Sequence, residues 1–318
     1  MDLALTNSIY LFLIFIAVLI TQAIAQPSFS GRYCDVGKNY TTNSTYQANL
    51  NHLLSTFPPN IYTADHTGFY NSTYGQNSDK VYAMGLCRGD VKPEACRSCL
   101  NYSTNSIKEN CPNQKEAIEW YAECMLRYSN RSIFGVVETN PRYWFWNVNN
   151  VTSNVDDFNQ VLNALLSDLK DKAAAGGSLL KHATGNETAP NFQTIYAQLQ
   201  CTPDLSQTQC TRCLDVAMAD IPRWCDGKQS AAIISPSCNL RFELYLFYEP
   251  SSPIADAPPP SPPSPSINNR TTTQGKKSNT SRTIIIVVVP TVVCVVLIIS
   301  ICACLRIKRK EGEEEISN

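Results

Sequence analysis

The cysteines of this chain form two matching sets, and this repeat constrains the fold more than any other feature. The spacing C-x8-C-x2-C-x11-C-x12-C begins at Cys87 and again at Cys201, so every member is displaced by 114 residues. Four matched intervals indicate a duplicated module of roughly 100 residues, because a fixed internal period is the mark of a repeated structural unit. A length of 318 residues also fits about two domains.

Two apolar segments frame the repeat. Residues 1–25 predict a signal peptide, with an apolar stretch over residues 9–20 and a small-x-small site just before Gln26. An uncleaved amino-terminal anchor is the alternative. Residues 284–305 carry no charge and are long enough to cross about 30 Å of hydrocarbon. A basic cluster begins at Arg306, which predicts a type I, single-span topology with residues 306–318 in the cytoplasm.

The segment between signal and span has the composition of an extracellular protein. It holds eleven of the 14 cysteines, which suits an oxidising compartment. It also holds all of the N-x-S/T sequons, which predict N-glycosylation at Asn39, Asn43, Asn71, Asn101, Asn130, Asn150, Asn186, Asn269 and Asn279. The net charge of −1 gives no indication of a nucleic-acid partner.

The repeat divides this segment into module one (26–139), module two (142–250) and a Pro/Ser-rich stalk (251–283). In module two, apolar residues over 158–169 fit one helical face, and alternation over 238–247 predicts a strand. Helices are predicted over 93–110 and, at the matching place, over 204–223. We therefore expect an α+β fold of two tandem disulfide-stapled modules, each an antiparallel β-sheet with helices on one face, plus one transmembrane helix.

Disulfides explain the cysteines better than zinc, since the modules lack paired His ligands and small extracellular modules gain from cross-links. No metal or other cofactor is predicted. Six cysteines in module one allow 15 connectivities, which the spacing alone leaves open.

Several motifs resemble a known family. The C-x8-C-x2-C core, the run Cys225–Lys228 and the run Pro236–Tyr245 are similar to the plant ginkbilobin-homologous domain, also called the salt-stress response/antifungal domain. Two copies, a stalk and one span resemble the extracellular and membrane parts of plant cysteine-rich receptor-like kinases. The resemblance implies the disulfides Cys34–Cys111, Cys87–Cys96, Cys99–Cys124, Cys201–Cys210 and Cys213–Cys238. It leaves Cys225 unpaired, because Val148 stands where its partner would be. This thiol is either buried and free or available for a disulfide between chains.

Nothing in the sequence indicates catalysis. No nucleophile elbow, zinc-protease helix or paired-carboxylate pattern is present. Relatives carry a serine/threonine kinase, whereas the 13 residues from Arg306 to Asn318 hold none of the kinase motifs. We expect either a truncated gene product or a kinase-less receptor-like protein, and in both cases no enzyme.

The resemblance also suggests a sugar site. The family's mannose-binding member uses an Asn, an Arg and a Glu. Module two offers Asn149, Ala232 and Glu243 at those places, which makes a degenerate site without its cation. Module one offers Asp35, Ile118 and Ser129, and none of these matches. A mannose-binding, antifungal lectin-like module is therefore an alternative reading.

A third reading is an interaction protein of the plasmodesmata-located type, which has the same plan of two domains, one span and a short tail. The aromatic run Tyr143–Trp146 would then form a partner surface, or else a hydrophobic seam between the modules. The prediction that we carry forward is a plasma-membrane receptor-like glycoprotein. Its extracellular domains would bind an unknown ligand or protein partner, related receptor-like kinases included, in plant stress or defence signalling.

Overall fold

The computed structural model describes residues 27–63 and 66–250, together with Tyr10, Phe12 and Ile14. Both modules belong to one compact unit that spans residues 26–254. The predicted stalk (251–283), span (284–305) and tail (306–318) lie outside the described residues, as does nearly all of the predicted signal peptide. Among the residues described, no helix combines the length and the apolar character that a membrane crossing requires.

Among its described residues, module one contains seven strands and three α-helices. The strands are β1 (Phe29–Cys34), β2 (Tyr62–Thr63), β3 (His66–Thr67), β4 (Phe69–Tyr74), β5 (Val81–Cys87), β6 (Ala117–Tyr121) and β7 (Cys124–Ser129). The helices are α1 (Thr45–Ser55), α2 (Phe57–Asn60) and α3 (Pro93–Asn110). Strands β2 and β3 form a small separate ribbon, and the other five form one antiparallel sheet.

Module two repeats this plan with five strands and three helices. The strands are β8 (Tyr143–Trp146), β9 (Lys181–Ala189), β10 (Gln193–Cys201), β11 (Ala231–Ile234) and β12 (Cys238–Glu243). The helices are α4 (Val155–Ala175), α5 (Gln207–Met218) and α6 (Ile221–Trp224).

The two sheets have the same topology. Their strand orders are β1-β6-β7-β5-β4 and β8-β11-β12-β10-β9, and all neighbouring strands are antiparallel. Cys87 lies opposite Cys124 in module one, and Cys201 lies opposite Cys238 in module two. The cysteine repeat of the sequence is therefore a repeat of sheet register, and the expected α+β modules are confirmed.

Helices cover one face of each sheet, as the sequence pattern predicts. In α4 the predicted apolar face is entirely buried, from Phe158 to Leu169. Helix α3 has the predicted bounds and begins at Pro93, which occupies the first helical turn, where its missing N–H is tolerated. Alternate residues of β5 and β10 point into these helix-covered cores because side chains in a strand alternate between faces.

Two predicted elements differ from the structure. The helix predicted over 204–223 is two helices, because Pro222 cannot donate to the carbonyl of Met218 and its ring would collide with it. Helix α5 begins instead at a capping box in which Ser206 and Gln209 bond each other's backbone. The strand predicted over 238–247 ends at Glu243, where its pairing with β10 stops at Tyr196 although β10 continues to Gln193.

The described residues form five disulfides, each within a single module. They are the pairs that the resemblance implies: Cys34–Cys111, Cys87–Cys96, Cys99–Cys124, Cys201–Cys210 and Cys213–Cys238. Cys225 is free, with only 1% of its surface exposed. Burial raises the pKa of its thiol to about 11. This environment favours the buried free thiol over a disulfide between chains, because the reactive form of cysteine is an accessible thiolate.

Candidate functional site

The face of the module-one sheet opposite its helices packs against module two. This second face is also apolar and buried, and its core consists of Phe69, Met84, Leu86, Ile118, Trp120, Met125 and Ile133. Tyr143 and Ile234 of module two pack against it. The ring of Trp120 meets that of Tyr143 edge to face, with centroids 5.7 Å apart. We call this contact the seam.

Hydrogen bonds cross the seam and fix how the modules sit. Trp120 Nε1 donates to the carbonyl of Ser235 at 3.3 Å, and the Tyr143 hydroxyl donates to the carbonyl of Arg32 at 2.7 Å. Gln200 Nε2 donates to the carbonyl of Cys87 at 2.9 Å. Each bond satisfies a polar group that the contact buries, so sliding one module over the other would leave buried groups unpaired.

A buried ion cluster lies on the same side of module one. Arg127 is almost fully buried and pairs with Glu116 at 2.7 Å and with Glu138. Arg131, which is more exposed, pairs with both of the same carboxylates. The backbone N–H of Glu138 donates to Ser237 Oγ of module two at 2.8 Å. The cluster therefore ties the last residues of module one to the turn that precedes β12 of module two.

The sequence predicts that the aromatic run Tyr143–Trp146 forms either a partner surface or a hydrophobic seam between the modules. It forms strand β8, in which side chains alternate between faces, so its members have different surroundings. Tyr143 is part of the seam. Trp144 packs on the helix-side core of module two and donates from Nε1 to Asp220 Oδ2 at 2.8 Å. Phe145 and Trp146 are 40% and 47% exposed. Neither ring stacks on another ring or a cation within the described part of the chain.

These two exposed aromatics line a groove of about 500 Å³ between the modules. Module one contributes Phe29, Arg88, Trp120 and Glu123, among others, to one wall. The outer face of the module-two sheet contributes the other wall. The volume falls within the range of about 300–1,000 Å³ that is common for ligand sites.

The module-two wall of the groove is polar. Gln198 lies opposite Arg241 and Gln200 lies opposite Asn239 in the β10–β12 ladder, so all four side chains share one face. Arg241 pairs with Glu243 at 2.8 Å and lies over the ring of Phe247. On the module-one side, Arg88 forms a bidentate pair with Asp90 through contacts of 2.5 and 2.8 Å.

Two acceptor atoms beside the groove have no partner. They are Oε2 of Glu123 and Oδ1 of Asn147, both of which are buried and accept no hydrogen bond from the described residues. Glu123 also forms no ion pair within those residues. The groove thus combines aromatic surface, a polar wall and two unpaired acceptors.

Comparison with known proteins identifies the repeated unit. The family model for the salt stress response/antifungal domain matches residues 33–131 and again residues 146–245. These two matches cover more than half of the chain. The chain belongs to the salt stress response/antifungal family.

The relatives include receptor-like protein kinases and an antimicrobial protein. The chain is 39% identical over 260 residues to cysteine-rich receptor-like protein kinase 29 of Arabidopsis thaliana, covering 79% of this chain but only 38% of the kinase. It is 37% identical over 217 residues to the antimicrobial ginkbilobin-2-like protein of Castanea crenata, covering 68% of this chain and 88% of that protein. The chain spans about two fifths of the length of the kinase that it matches.

Solved structures agree with the tandem salt stress response/antifungal fold. The crystal structure of the tandem DUF26 ectodomain of the Arabidopsis thaliana receptor-like protein PDLP8 superposes with a TM-score of 0.60 at 24% identity, covering 69% of this chain and 98% of that one. The corresponding ectodomain of PDLP5 superposes with a TM-score of 0.57, also at 24% identity. These similarities establish the fold alone.

The degenerate sugar site of the second salt stress response/antifungal domain is only partly assembled. Ala232 and Glu243 line the groove, whereas Asn149 is not among the residues that line it. The sequence suggests that the cation of this site is lost, but Arg241 lies directly opposite Ala232 in the β11–β12 ladder. Its guanidinium therefore lies on the same sheet face and is already paired with Glu243.

In the first domain, the seam covers the equivalent sheet face. Ile118 is fully buried in the seam core, and Ser129 Oγ donates to the carboxylate of Glu116 at 3.0 Å. Asp35 lies outside the sheet, and its carboxylate accepts a hydrogen bond from the N–H of Gly37. These three residues have no free common surface, which agrees with the absence of a sugar motif in this domain.

The predicted glycosylation sites lie on the surface where the structure describes them. Asn39, Asn43, Asn101, Asn150 and Asn186 are exposed, and Asn71 and Asn130 are partly buried. Asn269 and Asn279 lie outside the described residues. Glycosylation at these positions stays a prediction.

Sequence reasoning missed Glu123, Asn147 and Arg88, which belong to the groove. No local pattern marks them, because they come together only when the two modules pack. A search for metal sites finds no group of three or more metal-ligating side chains among the described residues.

Proposed function

We propose that this chain is the recognition part of a plant cell-surface receptor-like glycoprotein, and that the groove between its modules binds an extracellular ligand or partner in stress or defence signalling. The groove is the observation that carries the proposal. It is concave, it holds two partly exposed aromatic rings that stack on no other ring or cation among the described residues, and it lies beside the seam, whose hydrogen bonds fix one wall against the other. Such preorganisation lowers the entropic cost of binding.

The ionisable groups in the groove suit recognition better than catalysis. Arg88 is held by Asp90, and Arg241 is held by Glu243, so neither cation is free to activate a reacting group. A catalytic acid or base needs a partner positioned for proton transfer. We therefore propose a binding protein, with no enzymatic role for the tandem domains.

The proposed location rests on the sequence outside the described residues and on the relatives. Residues 1–25 direct secretion, and residues 284–305 anchor the chain with its tandem domains outside the plasma membrane. The names of the relatives, a receptor-like kinase and receptor-like proteins, support this arrangement. Exposed sequons on both modules support a glycosylated surface.

Filling the groove tests the binding role. Ala232→Trp places an indole on the polar wall, because the Ala232 side chain faces the groove between Phe145 and Arg241 in the ladder. Gln160→Trp, on the exposed face of α4, is the matched control that adds the same ring elsewhere.

The full chain, purified in detergent, would be titrated with a defined panel: α-mannotriose, a chitin oligomer, an oligogalacturonide, an arginine peptide and a glutamate peptide. We expect saturable binding of at least one probe that Ala232→Trp abolishes and Gln160→Trp leaves unchanged. Binding that survives in the Ala232→Trp variant, or no binding of any probe, would refute the groove as the recognition site.

A further inference from the structure

The unpaired charge in the groove indicates what kind of ligand fits there. Glu123 follows β6 in the tight turn that leads to β7, and it is the acidic residue of the groove that lacks a basic partner. Its Oε2 is buried without a donor, although leaving such an acceptor unpaired is costly.

From this we infer that the groove binds a basic side chain, arginine or lysine, of an extended peptide, with the Glu123 carboxylate as its counter-ion. The inference rests on the proposed function, since it names the ligand of the same groove. The cation would donate to Glu123 and to the unpaired Oδ1 of Asn147, and so satisfy both acceptors.

The charge balance of the groove supports a cationic ligand. Arg88 and Arg241 are each neutralised, by Asp90 and Glu243 respectively, which leaves Glu123 as the net charge. The guanidinium of Arg88 is fully engaged, since it also donates to the carbonyls of Ala122 and Phe247. An arriving cation therefore meets one free carboxylate and no free positive charge.

The aromatic rings beside the groove suit the same ligand. Phe145 and Trp146 present open ring surface, and a guanidinium or ammonium group over an aromatic face gains attraction from the ring quadrupole. One such contact already exists beside the groove, since Arg32 lies over the ring of Phe29, a groove residue, with its central carbon 5.0 Å from the ring centroid.

The exposed aromatic rings favour a peptide over a free polyamine. Gln198 and Gln200 on the polar wall are almost fully buried, and their Nε2 groups already donate to Asn239 Oδ1 and to the carbonyl of Cys87. Open ring surface remains on Phe145 and Trp146. A peptide can place an apolar side chain against these rings beside its cation, whereas a polyamine has no such side chain.

The test compares two peptides that differ only in charge. The probes are acetyl-Gly-Phe-Arg-Gly-amide and the same peptide with citrulline, the neutral isostere of arginine. Binding to the full chain is measured by isothermal titration calorimetry, with spermidine as a third probe. We expect the arginine peptide to bind roughly tenfold more tightly than the citrulline peptide, as a charge-assisted hydrogen bond would give.

Variants assign the preference to the groove. Glu123→Gln keeps the shape and removes the charge, so we expect it to abolish the difference between the two peptides. Asn147→Asp adds a second charge and should strengthen arginine binding, which is a gain that a misfolded variant cannot produce. Glu187→Gln removes an exposed charge on β9 outside the groove and should change nothing.

Equal affinity for the two peptides, a preference for arginine that survives Glu123→Gln, or spermidine matching the arginine peptide would each overturn the inference. If another probe of the panel binds and Ala232→Trp abolishes that binding, the proposed function stands while the cationic ligand fails. If Ala232→Trp alters the binding of no probe, both fail.

Discussion

Replacing Trp120 with alanine is expected to remove much of the energy that holds the two modules together. The indole is 3% exposed, packs edge to face on Tyr143 and donates to the Ser235 carbonyl. Truncating a buried aromatic side chain costs about 3–5 kcal/mol. Trp120→Phe keeps most of the ring contact but leaves the Ser235 carbonyl without its donor, which costs about 1–3 kcal/mol.

Differential scanning calorimetry of the full chain measures the effect. For a unit of this size each kcal/mol lowers the melting temperature by roughly 2–4 °C. We therefore expect a drop of about 6–20 °C for Trp120→Ala and about 2–12 °C for Trp120→Phe. Because the seam couples the modules, the single thermal unfolding transition should also split into two in the alanine variant.

Trp146→Ala, which truncates an exposed indole, is the control, and its stability should stay within about 0.5 kcal/mol of the parent. Equal losses for Trp120→Ala and Trp146→Ala would refute the seam.

Three further predictions concern groups that the packing buries. His182 lies against Gly89 of module one and near Arg88 and Asp90, and burial lowers the pKa of its ring to about 4. This folded-state pKa is below the unfolded value of about 6.5. The contribution of the neutral His182 ring to stability is therefore fully present above pH 6.5, and about 2–3 kcal/mol of it should be lost as the pH drops toward 4. Chemical denaturation at several pH values should show this loss, and the loss should shrink in His182→Gln; an unchanged pH profile would contradict the burial of the ring. Arg127→Met should cost about 3 kcal/mol in the same assay, because it removes the buried one of the two cations that neutralise Glu116 and Glu138 and leaves Arg131 alone with both carboxylates. Arg131→Gln should cost much less because Arg131 is half-exposed. Cys225 should resist iodoacetamide in the folded chain and react after unfolding, as mass spectrometry would detect; rapid labelling of the folded chain would show an accessible thiol.

Much of the fold is readable from local patterns. The cysteine spacing predicts the duplication. The apolar face over 158–169 predicts α4, and Pro93 predicts where α3 begins. The capping box at Ser206 and the proline at position 222 were also readable, and together they mark the start of α5 and the break before α6. The disulfide pairs needed the family resemblance, because spacing does not select among connectivities.

The groove could not be predicted in the same way. Strand β6 (Ala117–Tyr121) is buried at every position, so its burial does not alternate and both faces of the sheet are covered there. A strand without alternation of apolar and polar residues is the sequence signal for such burial. That signal predicts a covering layer without identifying it. Glu123 and Asn147 come together only after module two covers this face, so the site depends on a packing arrangement that no periodicity encodes.

Hydrogen–deuterium exchange of the full chain, with and without acetyl-Gly-Phe-Arg-Gly-amide, tests the central claim that the groove between the modules is the recognition site. The structure predicts slower exchange at the backbone amides of residues 122–125 and 145–147, which line the groove from its two sides. The same protection should disappear in the Ala232→Trp variant and persist in Gln160→Trp. Peptide binding that protects amides outside the groove and leaves these two segments unchanged would contradict the claim.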